Sequence, residues 1–306
     1  MKIGLIGLGR MGDALSQNMI GNGHKVVAYD KSSEMVDKIK KIGAMPAYSL
    51  DELVNNLDDR KVVWIMVPAG EAVDENINAL VPLLGKGDII IDGGNSFYKD
   101  SIRHAEELNK KNIQFLDIGT SGGIRGARNN GNFMIGGNKS AFEHIEPIIK
   151  DISQDNGYGY FGKAGSGHFV KMVHNGIEYG MMQAIGEGME VIEKSKFDVD
   201  KEKLCRVWAN GSVIRSWLIE LVEEAYKRDK KLSKYSGRVG LSGEGEWTVL
   251  TAKELGVSVP VIEGSVKARL KSMKKLPGAK KYQGKVVQAL RFGFGGHAQP
   301  KEKNND

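Results

Sequence analysis

The sequence predicts an α/β N-terminal domain on a mainly parallel sheet, followed by an all-helical C-terminal domain and a tail. Short apolar runs rich in β-branched residues recur at Lys2 to Ile6, Lys25 to Tyr29, Val62 to Val67, Asp88 to Ile91 and Ile113 to Ile118. Helix-like stretches separate most of them, which is the βαβ pattern of a parallel sheet. After Gly165 strand signals vanish and apolar residues fall at three- and four-residue spacing, so the helical part begins there. A length of 306 residues, 41% hydrophobic and 27% charged, suggests about two domains with a sizeable core and excludes disordered, collagenous and membrane-spanning classes.

The opening Met1-Lys2-Ile3-Gly4-Leu5-Ile6-Gly7 reads as a first strand rather than a leader, because Arg10 and Asp13 follow at once and no small-residue cleavage site appears. Two further short strands are expected at Asn132 to Ile135 and Tyr158 to Phe161. These place a first domain at 1–165. The next helix spans Ser166 to Ser195, long enough to pass from one domain to the other. Later helices are expected at Lys201 to Ala209, Val213 to Arg228, Trp247 to Leu255 and Val259 to Lys274, giving a second domain at 166–276. Leu276-Pro277-Gly278 then breaks the helix and opens a C-terminal segment, 277–306.

A lone Cys205 excludes an internal disulfide and suits a reducing, cytoplasmic setting. Net charge is +6, but the stretch from Ser265 to Asp306 alone carries +9. On charge alone, a basic end of this kind fits nucleic acid, solvated helix faces or a small anionic substrate.

Gly7-Leu8-Gly9-Arg10-Met11-Gly12 stands where a buried strand meets a helix and matches the G-x-G-x-x-G fingerprint of a Rossmann-type dinucleotide site. Gly7 serves the turn, Gly9 lets the backbone approach a pyrophosphate, and Gly12 lets helix and strand pack closely. Asp30 closes the second strand eighteen positions after Gly12, where a carboxylate bonds the adenosine ribose hydroxyls and repels the extra phosphate of NADP. The expected cofactor is therefore NAD, with NADP disfavoured; Lys31 weakens the exclusion, and an acidic N-cap is the structural alternative for Asp30. Val67, Pro68 and Ala69, after the third apolar run, are placed to line the cofactor pocket.

Lys171, His174, Asn175 and Glu178 lie at i, i+3, i+4 and i+7, one polar stripe on a helix otherwise apolar or small, with Tyr179 beside it. Two glycine-rich stretches at strand ends, Asp92-Gly93-Gly94-Asn95-Ser96 and Asp117-Ile118-Gly119-Thr120-Ser121-Gly122-Gly123, offer an amide, hydroxyls and backbone N–H groups to a carboxylate or sugar hydroxyls. No metal-ligand spacing is evident, so no metal is expected.

These motifs, with Gly167-His-Phe-Val-Lys-Met-Val-His-Asn-Gly-Ile-Glu-Tyr179, Ile214-Arg-Ser and the tail Arg291 to His297, resemble the 6-phosphogluconate dehydrogenases (decarboxylating) of the β-hydroxyacid dehydrogenase superfamily over nearly the whole chain. The chain looks like the family's shorter, NAD-preferring form. The resemblance implies Lys171 as general base and Glu178 as general acid. It implies substrate contacts at Asn95, Ser121, Gly122, Gly123, His174, Asn175 and Tyr179, and a phosphate ligand in Arg269. It also implies that Arg291 and His297 serve a neighbouring subunit's site in a homodimer or homotetramer, with a sugar phosphate as partner and neither nucleic acid nor membrane. Where the long form carries Lys-Gly-Thr-Gly-Lys-Trp, this chain has Ser242-Gly-Glu244-Gly-Glu246-Trp247, which shifts phosphate binding toward Arg269, Arg291 and Arg238. A non-decarboxylating 3-hydroxyacid dehydrogenase is the alternative enzyme; a non-catalytic dinucleotide sensor or nucleic-acid binder is the alternative outside enzymes.

Overall fold

The structure, a computed structural model, describes residues 1–273 and 282–296. The chain divides into two compact units, Met1–Met172 and Val173–Asp306.

The first unit is a single eight-stranded sheet: β1 (Lys2–Ile6), β2 (Lys25–Tyr29), β3 (Met45–Ala47), β4 (Val62–Ile65), β5 (Ile89–Asp92), β6 (Gln114–Ser121), β7 (Gly131–Gly137) and β8 (Ser153–Tyr160), in the order β3-β2-β1-β4-β5-β6-β7-β8. All neighbours run parallel except β6 and β7. The chain winds one way from β1 through β2 to β3, then returns to the other side at β4, so the carboxyl ends of β1 and β4 flank the crevice where ligands of open sheets bind.

Alternation along each strand builds two cores. Ile3, Leu5, Val26, Ala28, Val62, Trp64, Ile89 and Ile91 pack on one face against Leu15 and Met19 of helix α1 (Arg10–Gly21), Val36 and Ile39 of α2 (Ser33–Lys40), and Ile145 and Ile149 of α7 (Lys139–Ile152). Ile6, Val27, Val63, Ile65 and Ile90 point the other way, onto Leu53 of α3 (Leu50–Asn55), Val73 and Ile77 of α4 (Glu71–Leu80), and Leu108 of α5 (Tyr98–Asn109). A short helix α6 (Gly123–Arg128) follows β6.

The second unit is helical: α8 (Ser166–Lys194), whose start lies in the first unit, then α9 (Lys201–Ala209), α10 (Trp217–Arg228), α11 (Glu244–Glu254), α12 (Pro260–Met273) and α13 (Tyr282–Gly295). Its core joins Met182 and Met189 of α8, Cys205 of α9, Leu218 to Tyr226 of α10, Val266 of α12 and Val286 to Leu290 of α13. Burial pushes the Cys205 thiol up to about 12, which makes it an inert core residue.

Several boundaries differ from the sequence reading. Strand β3 was not expected; it is a three-residue edge strand containing Pro46, too short and too proline-marked to signal itself. Strand β8 starts at Ser153, not Tyr158, because its polar first half pairs at the sheet edge through an irregular register. Helix α10 starts four residues after Val213, where Ser216 accepts the Ile219 N–H as N-cap. Helix α11 begins at Glu244 rather than Trp247. The stretch before and after Arg291, Tyr282–Gly295, is helix α13 despite its glycines. The Leu276-Pro277-Gly278 break lies outside the described residues.

The glycine turn after β1 makes a sharp test of packing. A Cβ on Gly12 would lie 1.9 Å from the Gly7 carbonyl oxygen, whereas one on Gly9 would meet nothing within 4 Å. Gly12→Ala should therefore lower unfolding free energy by about 2 kcal/mol or more, as overpacking does. Gly9→Ala, at an extended N-cap, should cost less than about 1 kcal/mol. Urea unfolding of the two variants measures both.

Candidate active site

At the cofactor end, Gly7 takes a positive φ of 92° and turns the chain so that Met66 of the β4 loop sits against it. Leu8 is buried in the core, Gly9 and Arg10 are exposed, and Met11 is half-buried. The open space over Gly9 at the start of α1 is a cradle that a pyrophosphate fits, with helix N–H groups facing it. Asp30 is held at the tip of β2: the Leu8 N–H donates to Oδ2 at 2.6 Å and the Ser32 N–H to Oδ1 at 2.9 Å. Ser32, not Asp30, is the N-cap of α2. Lys31 reaches away to Glu75, 3.0 Å from its Oε2, so its charge is already engaged. Val67 is half-buried, while Pro68 and Ala69 are exposed on the loop into α4.

The loops after β5 and β6 leave the same carboxyl edge. Asp92 has no exposure, and its Oδ1 accepts the Gly94 N–H at 3.1 Å. Gly93 lies flat on Trp64, since a Cβ there would come within 1.8 Å of the indole Nε1. This pressing fixes the loop and leaves Asn95 exposed beyond it. Ser121 ends β6, and Gly122, with a left-handed φ of 94°, turns the chain through Gly123 into α6.

Helix α8 is anchored to this sheet by a buried carboxylate. Asp117 of β6 accepts the Gly165 N–H at Oδ1 and the His168 N–H at Oδ2, each at 2.8 Å, which satisfies donors that a helix start leaves unpaired. Burial pushes the Asp117 carboxyl above the usual range, against the pull of His168 and its two backbone donors, with Asp92 adding to the rise. His168 is itself buried and bonded through Nδ1 to Ser101 Oγ at 2.7 Å. The approach is close: a Cβ on Gly136 would lie 2.6 Å from the Gly167 nitrogen, and one on Gly119 would lie 2.3 Å from the Lys171 Cβ. Lys171 is thereby packed against the end of β6 with 6% exposure.

The other predicted side chains of α8 belong to the helical unit. His174 Nδ1 stands 3.0 Å from Asn175 Oδ1 and 3.9 Å from Glu178 Oε2. Tyr179 is buried and its hydroxyl meets Ser242 Oγ at 3.0 Å. Arg269 lies over the Tyr179 ring, its guanidinium carbon 3.3 Å from the centroid. Burial lowers Arg269 to about 10, with Arg291 acting in the same direction and Tyr179, Glu178 and Glu244 opposing; it stays cationic near neutrality. Arg291 is lowered by burial too, against Tyr179, Glu178 and Glu244. The sequence reading gave Arg291 to a neighbour's site; here α13 packs in the core of its own unit and brings Arg291 into the field of Arg269. Arg238 turns instead to the Met273 carbonyl, 3.4 Å away, at the end of α12. His297 lies outside the described residues.

Three features escaped the sequence reading. Asp117 had no assigned role, Trp64 was only a strand residue, and Glu244 was only a departure from a motif. The paired glycines at 136–137 and the Gly165-Ser-Gly167 run were the available sign that helix and sheet meet backbone to backbone.

A sheet covered on both faces, with a glycine turn at its switch point and a buried lysine at its carboxyl edge, defines a dinucleotide-linked dehydrogenase. Residues 2–162 match the family model described as the NAD binding domain of 6-phosphogluconate dehydrogenase, and residues 167–289 match that of the 6-phosphogluconate dehydrogenase C-terminal domain. The chain is 50% identical over 302 residues to a putative 6-phosphogluconate dehydrogenase of Bacillus subtilis, covering 99% of this chain and 100% of that one. It is 42% identical to an NAD(+)-dependent, decarboxylating 6-phosphogluconate dehydrogenase of Haloferax volcanii, covering 97% and 98%. The solved Plasmodium falciparum 6-phosphogluconate dehydrogenase superposes with a TM-score of 0.81 at 34% identity, covering 100% of this chain and 67% of that one. The chain belongs to the 6-phosphogluconate dehydrogenase family.

The Asp117 anchor is directly testable. Asp117→Ala leaves two buried N–H groups unpaired and should cost about 2–5 kcal/mol of stability. Amide exchange at Gly165 and His168 should accelerate most.

Proposed function

We propose that this protein oxidatively decarboxylates 6-phosphogluconate to ribulose 5-phosphate and CO2 while reducing NAD. The observation that carries the reading is the polar face of α8: a lysine buried at the carboxyl edge of a dinucleotide-binding sheet, followed two turns on by a carboxyl in the field of two arginines. NAD supplies the hydride acceptor when bound, held over Gly7, Leu8, Gly9, Arg10, Met11 and Gly12, with Asp30, Val67, Pro68, Ala69 and Asn95 around it.

Lys171, in its neutral form, takes the proton of the substrate's C3 hydroxyl as that carbon is oxidised. Burial of its stem against Gly119 favours that form. The resulting 3-keto acid loses CO2 because the ketone accepts the electron pair, and protonated Lys171 stabilises the oxygen on which charge develops. Glu178, in its protonated form, returns a proton to C1 of the enediol. Asn95, Ser121, Gly122 and Gly123 hold the carboxylate and hydroxyl end, with His174 and Asn175 as further contacts. Tyr179, Arg269 and Arg291 hold the phosphate end, where an arginine fork suits phosphate geometry.

The wider setting belongs to the same proposal: the oxidative pentose phosphate route and gluconate use, in the cytoplasm. No helix among the described residues is long and apolar enough to cross a membrane. A homodimer or homotetramer accounts for the apolar residues the helical unit exposes, among them Val191, Phe197, Val213, Leu255 and Val261.

Steady-state turnover with 6-phosphogluconate and NAD, with CO2 measured, tests the whole. Lys171→Met should lower kcat at least about 100-fold while NAD still binds; near-normal turnover would remove Lys171 from the mechanism. For cofactor choice, the wild type should show the higher kcat/KM with NAD, and Asp30→Ser should narrow the gap, since it removes the carboxylate that repels a 2′-phosphate. A wild type that prefers NADP would overturn that assignment.

A further inference from the structure

The start of α11 joins two open bonding positions of opposite sign. Glu244, its first residue, is 3% exposed, and its Oε2 has no hydrogen-bond partner among the described residues. Arg269 is 2% exposed, and its Nη2 likewise has none. A buried carboxylate oxygen and a buried guanidinium nitrogen without partners are costly unless a ligand completes them. The charge of Glu244 acts on both Arg269 and Arg291, so the three groups form one cluster. The guanidinium is held in place. Arg269 is stacked on Tyr179, and Gly245 presses on the same ring, where a Cβ would lie 2.6 Å from it.

Sulfate, a tetrahedral dianion with no hydroxyl, offers this cluster acceptors only. It would satisfy Arg269 and leave Glu244 both unpaired and repelled. A phosphorylated polyol offers acceptors on the phosphate and a hydroxyl donor on the carbon chain beside it, which is the complement of the two open atoms. Resting on the functional reading above, we infer that Glu244 is a specificity-determining residue, accepting a substrate hydroxyl next to the phosphate that Arg269 holds. The subsite thus reads a sugar-acid phosphate and discriminates against a tetrahedral anion that has no hydroxyl to donate.

The test compares KM for 6-phosphogluconate with the competitive inhibition constant of sulfate, in wild type, Glu244→Ala and Glu244→Gln at saturating NAD. In Glu244→Ala the preference for the sugar phosphate over sulfate should fall on the order of tenfold or more, the loss expected of a hydrogen bond to a charged acceptor. Glu244→Gln keeps an acceptor oxygen without the charge and should lose about threefold. If both constants move by one common factor, in either direction, Glu244 acts only as a charge or a scaffold and the inference is wrong. Should the alanine variant fail to fold, the glutamine variant carries the same comparison. Calorimetric titration with 6-phosphogluconate and sulfate yields the ratio without turnover. A wild type that binds but does not react would therefore count against the functional reading, and an unchanged ratio in an active enzyme would count against the role of Glu244.

Discussion

A carboxylate with no access to water is costly unless its oxygens are paired, and Asp117 finds its partners in the first turn of helix α8. The exchange is mutual, because a helix start carries unpaired N–H groups and partial positive charge that favour an anion. The consequence is geometric. Once Gly165 and His168 are tied to β6, the helix is fixed in depth and rotation, and Lys171, one turn after His168, lies against Gly119 at the sheet's carboxyl edge. A side chain at Gly119, Gly136 or Gly167 would push the helix off the strands. The placement of the lysine therefore depends on what the strands lack as much as on what the helix carries.

Helix α8 begins in the first unit and continues in the second, and each unit on its own presents a different kind of group. The sheet unit contributes mostly backbone: the turn over Gly9, the loop pressed onto Trp64, and the left-handed Gly122 are main-chain shapes, made by residues whose side chains are small or point elsewhere. The helical unit contributes charge, with Arg269 buried and Arg291 half-buried in the field of Tyr179, Glu178 and Glu244. Without carboxylates nearby, the two guanidiniums would repel each other on leaving water. Glu178 and Glu244 offset part of that cost.

How much of this was legible in the sequence follows from the range of the interactions concerned. Strands β1 and β2 could be read to the residue because both faces are buried and their apolar runs are unbroken. The polar stripe of α8 was legible because helical periodicity is local. Strand β3 was not, since a three-residue edge strand has almost no pattern. The start of α10 was misplaced because Ser216, a cap, outweighs the apolar residues just before it. Asp117 was quoted within its motif yet given no role, because its partners are backbone groups 48 and 51 positions later, and no side-chain pattern announces them. Glu244 showed only as an acid standing where the family's long form has a threonine; its burial and its effect on Arg269 and Arg291 arise between helices and leave no local pattern.

Cofactor choice is bound into the same framework. Asp30 is not a free side chain waiting at the end of β2, for one oxygen is taken by the N–H of Leu8 inside the glycine turn and the other by Ser32 at the mouth of α2. The acid proposed to read the ribose therefore also braces the glycine turn. Lys31 does not relieve it, being drawn to Glu75 on α4. An anionic group brought to this corner would meet a carboxylate that cannot swing aside without releasing two backbone donors. Accepting a 2′-phosphate thus requires more than removing one charge: a replacement at position 30 must also supply an acceptor for Leu8, or the glycine turn loosens beneath the cofactor it is meant to hold.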